Sequence, residues 1–177
     1  MIRYLLIATT VFSWACTPKA GEGAFTAWID HLLTDSTHIR SGSLLAEPFS
    51  QRNNQLPDII YLSQHQLYSG PRDQIVKLVF AIKDSLRVIS LPEEELNQLV
   101  QTNKISQDTA IFHQKNRNVL GRVYINQVFT STNRNTVYID HAYSGPQGKS
   151  IFAAVTALKF SNGKWTVTRT EVYEMSN

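Results

Sequence analysis

Three residues toward the end of the chain carry the side chains that acid–base chemistry uses. Asp140, His141 and Tyr143 bring a carboxylate, an imidazole and a phenol close together in sequence. Neighbouring side chains of a β-strand point to opposite faces, so Asp140 and His141 should diverge while His141 and Tyr143 share a face. The available nucleophiles, Ser144 and Ser150, lie in no nucleophile-elbow sequence. We therefore predict no catalytic residue and keep His141, Asp140 and Tyr143 as weak candidates, against a polar sheet face or a hydrogen-bonded turn.

The histidines do not form a metal-binding pattern. None of them has the short helix or hairpin spacing that presents two imidazoles to one metal ion. They stand at His31, His38, His65, His113 and His141. The chain also lacks a phosphate loop and a nucleotide fingerprint. We predict neither a metal site nor a cofactor.

The single cysteine, Cys16, ends an export-signal pattern. A short basic start and a largely apolar run, 5–12, precede small residues interrupted by Trp14. This segment resembles a bacterial lipoprotein signal, in which the cysteine at the cleavage site is acylated and becomes the first mature residue, although Ser13 stands where Leu is typical. The resemblance implies a signal peptide over 1–15 and lipid attachment at Cys16. The alternatives are an ordinary secretory signal and an anchor that is never cleaved.

The stretch that follows has the composition of a tether. Residues 17–23 are small and polar and contain Pro18 and two glycines, so 16–23 is predicted to be the lipidated cysteine plus a flexible linker. The remaining residues, 24–177, suit one α+β domain with a single core. In bacterial lipoproteins Asp after the cysteine marks inner-membrane retention. Thr17 stands here, so the resemblance implies the outer membrane, facing the periplasm or the cell surface.

Charge argues against a nucleic-acid partner. The formal net charge is +3, from 17 basic and 14 acidic side chains. The charges are interspersed, and the closest basic cluster is only Lys115, Arg117 and Arg122. A solvated loop explains such a cluster.

The first part of the domain contains one clear helical pattern. Apolar residues recur at the spacing of a single helical face, at Phe25, Trp28, Ile29, Leu32 and Leu33. Residues 34–55 are polar, show no sustained period and are predicted to be irregular. The β-rich run 58–62 predicts a strand.

Two further apolar runs, 75–82 and 86–91, flank a polar triplet and are predicted to form a β-hairpin. The first run also fits a helix, and its β-branched residues favour the strand. Ser90 and Glu93 then stand at capping-box spacing and predict a helix over 92–101.

The end of the chain predicts a β-hairpin. The dipeptide Asn162-Gly163 tolerates the positive φ angles of a type I′ turn. That turn would place large apolar pairs on one face, namely Phe160 with Trp165, Leu158 with Val167 and Phe152 with Tyr173. Strands over 122–130 and 136–143 precede it. The order of elements predicts an α+β fold, with N-terminal helices packed on a curved antiparallel sheet and C-terminal β-hairpins.

Residues 162–167, NGKWTV, resemble the closing hairpin of NTF2-like and related cone-shaped domains. The resemblance implies an NTF2-like or cystatin-like cone. The Tyr-Ser-Gly-Pro stretch at 143–146 is similar to small uncharacterised bacterial lipoproteins, whose paired cysteines around the glycine are absent here. The same tetrapeptide at 68–71 indicates either a duplicated strand–turn unit or two coincident turns.

These patterns favour a lipid-anchored, non-enzymatic binding or accessory protein of the bacterial envelope, with an envelope protein as partner. One specific form is an immunity-type lipoprotein that neutralises a periplasmic toxin. The alternative is a small-molecule-binding or hydrolase-like domain with a pocket on the concave sheet face. A purely structural envelope protein is a third possibility.

The location of four polar side chains would distinguish a protein that binds through its surface from one with a ligand pocket. Their convergence in a cavity would require a ligand or a catalytic reason, and exposure to water would favour surface binding. They are Tyr138, Asp140, Lys159 and Arg169. Trp28 and Trp165 stand at core-type positions and are predicted to be packing residues.

Overall fold

The computed structural model describes residues 21–34, 57–68, 70–114, 119–144 and 151–176. Within these residues, three α-helices and one 3₁₀-helix accompany a seven-stranded mixed sheet. The helices are α1 (Ala24–Thr34), α2 (Arg72–Phe80), α3 (Glu93–Gln101) and the 3₁₀-helix Thr109–His113. The strands are β1 (Ile59–Ser63), β2 (Leu86–Val88), β3 (Ile105–Ser106), β4 (Val119–Ser131), β5 (Thr136–Ser144), β6 (Ile151–Ser161) and β7 (Lys164–Ser176). The predicted α+β class, with helices against a curved sheet, is confirmed.

The strands are ordered β3-β1-β4-β5-β6-β7, and β2 also pairs with β4. Strands β4 to β7 form the predicted antiparallel run, whereas β1 is parallel to both β3 and β4. Since β5 occupies one edge of β4, β1 and β2 share the other edge. Strand β1 pairs with the beginning of β4 and β2 with its end, where Val88 lies opposite Phe129.

The two faces of the sheet are covered by different helices. Helices α1 and α3 pack on one face over the main core, which includes Trp28, Leu99 and Ile139. Helix α2 packs on the opposite face, where Val76 contacts a smaller cluster. Trp28 and Trp165 are both buried, as predicted.

The predicted strand over 75–82 is wrong, because this part of the chain belongs to helix α2. The helix buries Val76 against the sheet and ends where Ala81 adopts a left-handed conformation, with φ of 52°. Packing of an apolar helical face outweighed the β-preference of the branched residues. Strand β2 therefore pairs with β4 and not with residues 75–82.

Helix α3 forms where it was predicted, but the capping box does not. Pro92 is the N-cap residue and no side chain caps the helix. The carboxylate of Glu95 instead accepts hydrogen bonds from the N–H groups of Gly23 (3.2 Å) and Thr26 (2.5 Å) at the start of α1. An acidic side chain from α3 thus caps a different helix.

The predicted register of the closing hairpin holds only near its turn. Phe160 lies opposite Trp165 and Leu158 opposite Val167, but the register shifts at two places farther along. Phe152 consequently pairs with Met175 and not with Tyr173. An uninterrupted register would also place Ala154 opposite Glu171 and Thr156 opposite Arg169. The shifts instead place Val172 opposite Ala154 and Thr170 opposite Thr156.

Both extra residues belong to β7, at Thr168 and Tyr173, so this strand carries two β-bulges. The first bulge reverses the alternation of side chains along β7. Val167 packs in the core beneath α1, whereas Tyr173 lies on the face covered by α2. This reversal brings Tyr173 to the polar cluster described below.

Several predictions concern residues outside the described parts of the chain. These are the signal and lipid site at Cys16, nearly all of the irregular stretch 34–55, and the second Tyr-Ser-Gly-Pro sequence beyond Ser144. The first copy precedes helix α2 and not the expected strand.

Candidate functional site

An open groove of about 750 Å³ lies at one end of the sheet. One wall comes from the beginnings of α1 and α3, and the other from β2, the chain after it, and the turn between β4 and β5. The lining residues used below are Glu22, Glu94, Glu95, Arg87, Val88 and Arg134. The helical wall is acidic and the strand wall is basic, so the groove presents both charges to a ligand.

Backbone contacts position the two walls. The N–H of Ile89 donates to the carbonyl of Val128 at 3.0 Å, which continues the pairing of β2 with β4. Gly21 approaches the strand wall so closely that an added Cβ would lie 2.7 Å from Cδ1 of Ile89. The indole Nε1 of Trp165 donates to the carbonyl of Glu22 at 2.7 Å, which fixes the first residues of the domain beside the groove.

Strand β2 gives the groove an accessible edge. Val88 exposes 61% of its surface despite its apolar side chain. Among the described residues, β2 pairs only with β4, so no other described strand covers its outer edge. An apolar side chain and an uncovered strand edge are features that an extended protein segment can recognise.

On the opposite face of the sheet, Asp140 is the centre of a buried polar cluster. Its carboxylate accepts from Arg72 Nε at 2.6 Å and Arg72 Nη2 at 3.2 Å. The hydroxyl of Tyr173 and the amide of Asn126 donate to the same carboxylate at 2.8 and 3.3 Å. Both carboxylate oxygens are therefore engaged, which favours a structural role over a catalytic base.

Arg72 is held by aromatic rings as well as by Asp140. Its guanidinium lies 5.1 Å from the ring centroid of Tyr68 and 5.4 Å from that of Tyr173. The hydroxyl of Tyr173 also forms a short hydrogen bond with Arg72. The amide oxygen of Asn126 accepts from the backbone N–H groups of Leu67 and Tyr68, both at 3.2 Å. The cluster thereby ties the loop before α2 to β4.

The surroundings of this cluster favour a charged arginine and neutral tyrosines. Burial works against the charged guanidinium, but the hydrogen bonds and charge of Asp140 raise the pKa of Arg72 above its ordinary value. Burial, together with the charge and hydrogen bond of Asp140, raises the pKa of Tyr173. Burial and the nearby Glu174 raise the pKa of Tyr68. A charged Arg72 and neutral tyrosines follow.

His141 and Tyr143 lie on the other face, away from Asp140. The imidazole of His141 packs against Trp28 in a tilted arrangement with ring centroids 5.0 Å apart, and its Nε2 forms a 3.0 Å hydrogen bond with Thr156 Oγ1. The hydroxyl of Tyr143 donates to the carbonyl of Leu120 at 2.6 Å. Burial raises the pKa of Tyr143. The weak catalytic candidates are thus separated by the sheet and lie among core residues.

The four polar residues chosen to discriminate the functions do not converge in a cavity. Lys159 and Arg169 are exposed, and Arg169 forms a short ion pair with Glu171. Tyr138 packs edge-on against Phe80, and burial together with Asp84 raises its pKa. Of these four residues only Asp140 is fully buried, and the ion pair with Arg72 compensates its buried charge.

Arg72, Asn126 and the groove were not predicted from the sequence. Arg72 directly follows Pro71 and begins helix α2. Because the residues after it were predicted to form a strand, nothing indicated that Arg72 would lie on a helix packed over the sheet. The only available signal was a charged residue at the start of a run that also fits a helix.

Neither a metal site, a membrane-spanning helix nor a similarity to known proteins adds to this geometry in the described parts of the chain. In the described parts of the chain, no group of three or more His, Cys, Asp or Glu residues is arranged to hold a metal ion. Among the same residues, no helix has the length and hydrophobicity needed to cross a membrane. The chain matches no protein-family model, no curated protein and no solved structure.

Proposed function

We propose that this chain is a lipid-anchored, non-enzymatic binding protein of the bacterial envelope, with an envelope protein as its partner. The observation that carries the proposal is the groove with its acidic and basic walls and its uncovered β2 edge. Anchoring is inferred from the export-signal pattern that ends at Cys16.

The short segment between Cys16 and the groove supports a position of the groove close to the membrane. Glu22, which lines it, follows Cys16 by a stretch that spans at most about 20 Å when fully extended. An acylated Cys16 in the outer membrane would therefore keep the groove close to the bilayer. A partner in or near the same membrane would be within its reach.

The residue types in the groove favour binding over catalysis. Its lining contains no histidine, cysteine or lysine among the described residues. The carboxylate of Glu95 is occupied by the start of α1. The described lining does contain hydroxyl side chains, at Ser90 and Thr130 among others, but without the imidazole, thiol or amine that most often serves as nucleophile or general base.

A small-molecule ligand is the second candidate, because the groove has a volume in the range of small-molecule sites. Within the first proposal, an immunity-type lipoprotein is the most specific form. It predicts that the partner is a toxin acting in the periplasm.

Site-specific photo-crosslinking in intact cells tests the proposal. A photoreactive amino acid replaces Val88 in the groove or, as the control, Leu78, whose side chain is 83% exposed on the outer side of α2. We expect a protein adduct of defined mass from position 88 and none from position 78. Arg87→Glu should abolish that adduct, whereas Lys159→Glu, an exposed strand residue outside the groove, should preserve it.

Equal adducts from both positions would contradict a groove-specific partner. If position 88 gives no adduct with protein, native mass spectrometry of the membrane-extracted protein examines the second candidate. A retained small molecule that is lost in the Arg87→Glu variant would establish the small-molecule function instead.

A further inference from the structure

A second surface of the sheet contains two buried polar atoms that lack hydrogen-bond partners among the described residues. They are Nε of Arg122 and Oγ of Ser144. Arg122 in β4 lies directly opposite Ser144 in β5, so their side chains emerge side by side on one face. Ser144 is only 2% exposed. Buried donors almost always have acceptors, so this adjacent pair points to a missing one.

Aromatic rings hold the guanidinium of Arg122 in place. Its central carbon lies 5.1 Å from the ring centroid of Phe112 and 5.9 Å from that of Tyr61. Tyr61 belongs to β1 and lies opposite Arg122 of β4, and the ring centroid of Tyr61 lies 5.2 Å from that of Phe112. These rings pack against the guanidinium and restrict its orientation, while its buried Nε–H remains without an acceptor among the described residues.

Arg122 differs in this respect from two other arginines, the buried Arg72 and the exposed Arg169. Arg72 donates its Nε–H to Asp140, and Arg169 donates its Nε–H to Glu171. No carboxylate of the described residues forms an ion pair with Arg122. Arg122 is therefore an arginine with a buried, unpartnered Nε–H and no carboxylate partner among the described residues.

We propose that Arg122 and Ser144 form a binding site for an oxyanion, either a carboxylate or a phosphate group of a ligand. Such a group accepts from the Nε–H of Arg122 and from the hydroxyl of Ser144, which supplies both orphan donors with an acceptor. The positive charge of Arg122 compensates the charge of the ligand. The rings of Tyr61 and Phe112 keep the guanidinium oriented before the ligand arrives.

This site is separate from the groove. The groove lies at the end of β4 that contains Thr130, whereas Arg122 lies near its beginning and on the face opposite α1. The oxyanion site therefore does not depend on the function proposed for the groove. It adds a second binding surface to the same domain.

Nuclear magnetic resonance of the arginine Nε–H groups tests the proposal directly. The probes are inorganic phosphate and acetate, titrated separately into ¹⁵N-labelled full-length protein in non-ionic detergent micelles, with sodium chloride as the ionic-strength control. Arg122→Lys assigns the resonance by removing it. Arg72 and Arg169 provide internal references, one buried and one exposed.

We expect a saturable shift of the Arg122 resonance with phosphate or acetate, and the stronger probe identifies the chemical class. Ser144→Ala should weaken that binding about tenfold, the factor for one lost hydrogen bond to a charged group. An unchanged Arg72 resonance in this variant shows that the fold is intact.

Three results would overturn the proposal. A shift that does not saturate, or that sodium chloride reproduces, means that only ionic strength acts on Arg122. An equal shift of Arg169 means that the anion binds exposed arginines in general. Absence of the Arg122 resonance through rapid solvent exchange means that its Nε–H is not buried, which removes the basis of the site.

Discussion

Asp140 and His141 are adjacent in β5, and their side chains have separate partners on opposite faces of the sheet. Asp140 binds Arg72 beneath α2, whereas His141 packs against Trp28 beneath α1. A strand cannot bring two neighbouring side chains to one reacting atom. Each side chain instead joins one helical layer to the sheet, so stability is the first property expected to respond when either one is changed.

Loss of the Asp140 carboxylate should destabilise the domain strongly. Asp140→Asn leaves Arg72 buried and charged without its partner, which costs about 3–5 kcal/mol. The measurement is the free energy of unfolding from urea denaturation. Asp73→Asn is the matched control, because it removes the half-exposed Asp73–Lys77 pair and should cost below about 1 kcal/mol.

The double variant Arg72→Met with Asp140→Leu separates charge from packing. Since both charges are removed together, we expect a smaller loss of stability than in Asp140→Asn alone. A double variant less stable than Asp140→Asn would show that the aromatic contacts of Arg72 matter more than its ion pair.

Alkaline pH should weaken the fold through its buried tyrosines. Burial raises the pKa of Tyr143, and burial with Asp140 raises the pKa of Tyr173, so the folded state keeps protons that the unfolded state loses above about pH 10. Below that pH these groups should not make the free energy of unfolding vary with pH, and above it the free energy of unfolding should fall as the pH rises. Urea denaturation at about pH 8 and pH 11 measures the difference.

The Tyr143→Phe variant provides the control for that experiment. It lacks the ionisable group, so its stability should depend less on pH in the alkaline range, even though the lost hydrogen bond to Leu120 lowers stability at every pH. The same alkaline slope as in the parent protein would show that Tyr143 ionises normally in the folded state.

Gly121 should be intolerant of a side chain. It has φ of 141°, and an added Cβ would lie 2.7 Å from both the carbonyl oxygen of Ser144 and the hydroxyl of Tyr143. Gly121→Ala therefore combines backbone strain with a clash and should cost more than about 2 kcal/mol. Gly70→Ala at φ of 109° has open space around the Cβ and isolates the backbone term. Equal thermal stability of the two variants would contradict the clash.

Lipid attachment at Cys16 predicts a mature chain that begins with an acylated cysteine. Intact mass of the native protein extracted from membranes measures both cleavage and acylation. Cys16→Ala should leave the chain unprocessed or release it from the membrane. An unmodified Cys16 in a soluble protein would refute the anchoring proposal while leaving the groove-binding experiment valid.

Local sequence patterns correctly predicted the elements whose conformation depends mainly on their own residues. The periodic apolar residues of α1 and the turn dipeptide Asn162-Gly163 gave a helix and a hairpin in the right places. The run 75–82 failed because its branched residues suit either structure, and the choice depends on packing of Val76 against a distant strand. Tertiary contacts, and not local preference, decided that segment.

The candidate sites were harder to predict for a related reason. The groove combines Glu22, Arg87 and Arg134, which are far apart in sequence. The face on which Tyr173 lies depends on the bulge at Thr168, which no turn signal marks. A period-two pattern fixes the face of a side chain only while the register is uninterrupted.

The bulges of β7 also bear on whether two copies of this protein can pair through their sheet edges. Among the described residues, β7 is the last strand of the sheet, and a straight strand of its length would offer another copy a template for strand addition. The interruptions at Thr168 and Tyr173 break that template into short pieces. Neighbouring molecules would thus meet without continuous backbone pairing, and the shape of β7 would oppose aggregation.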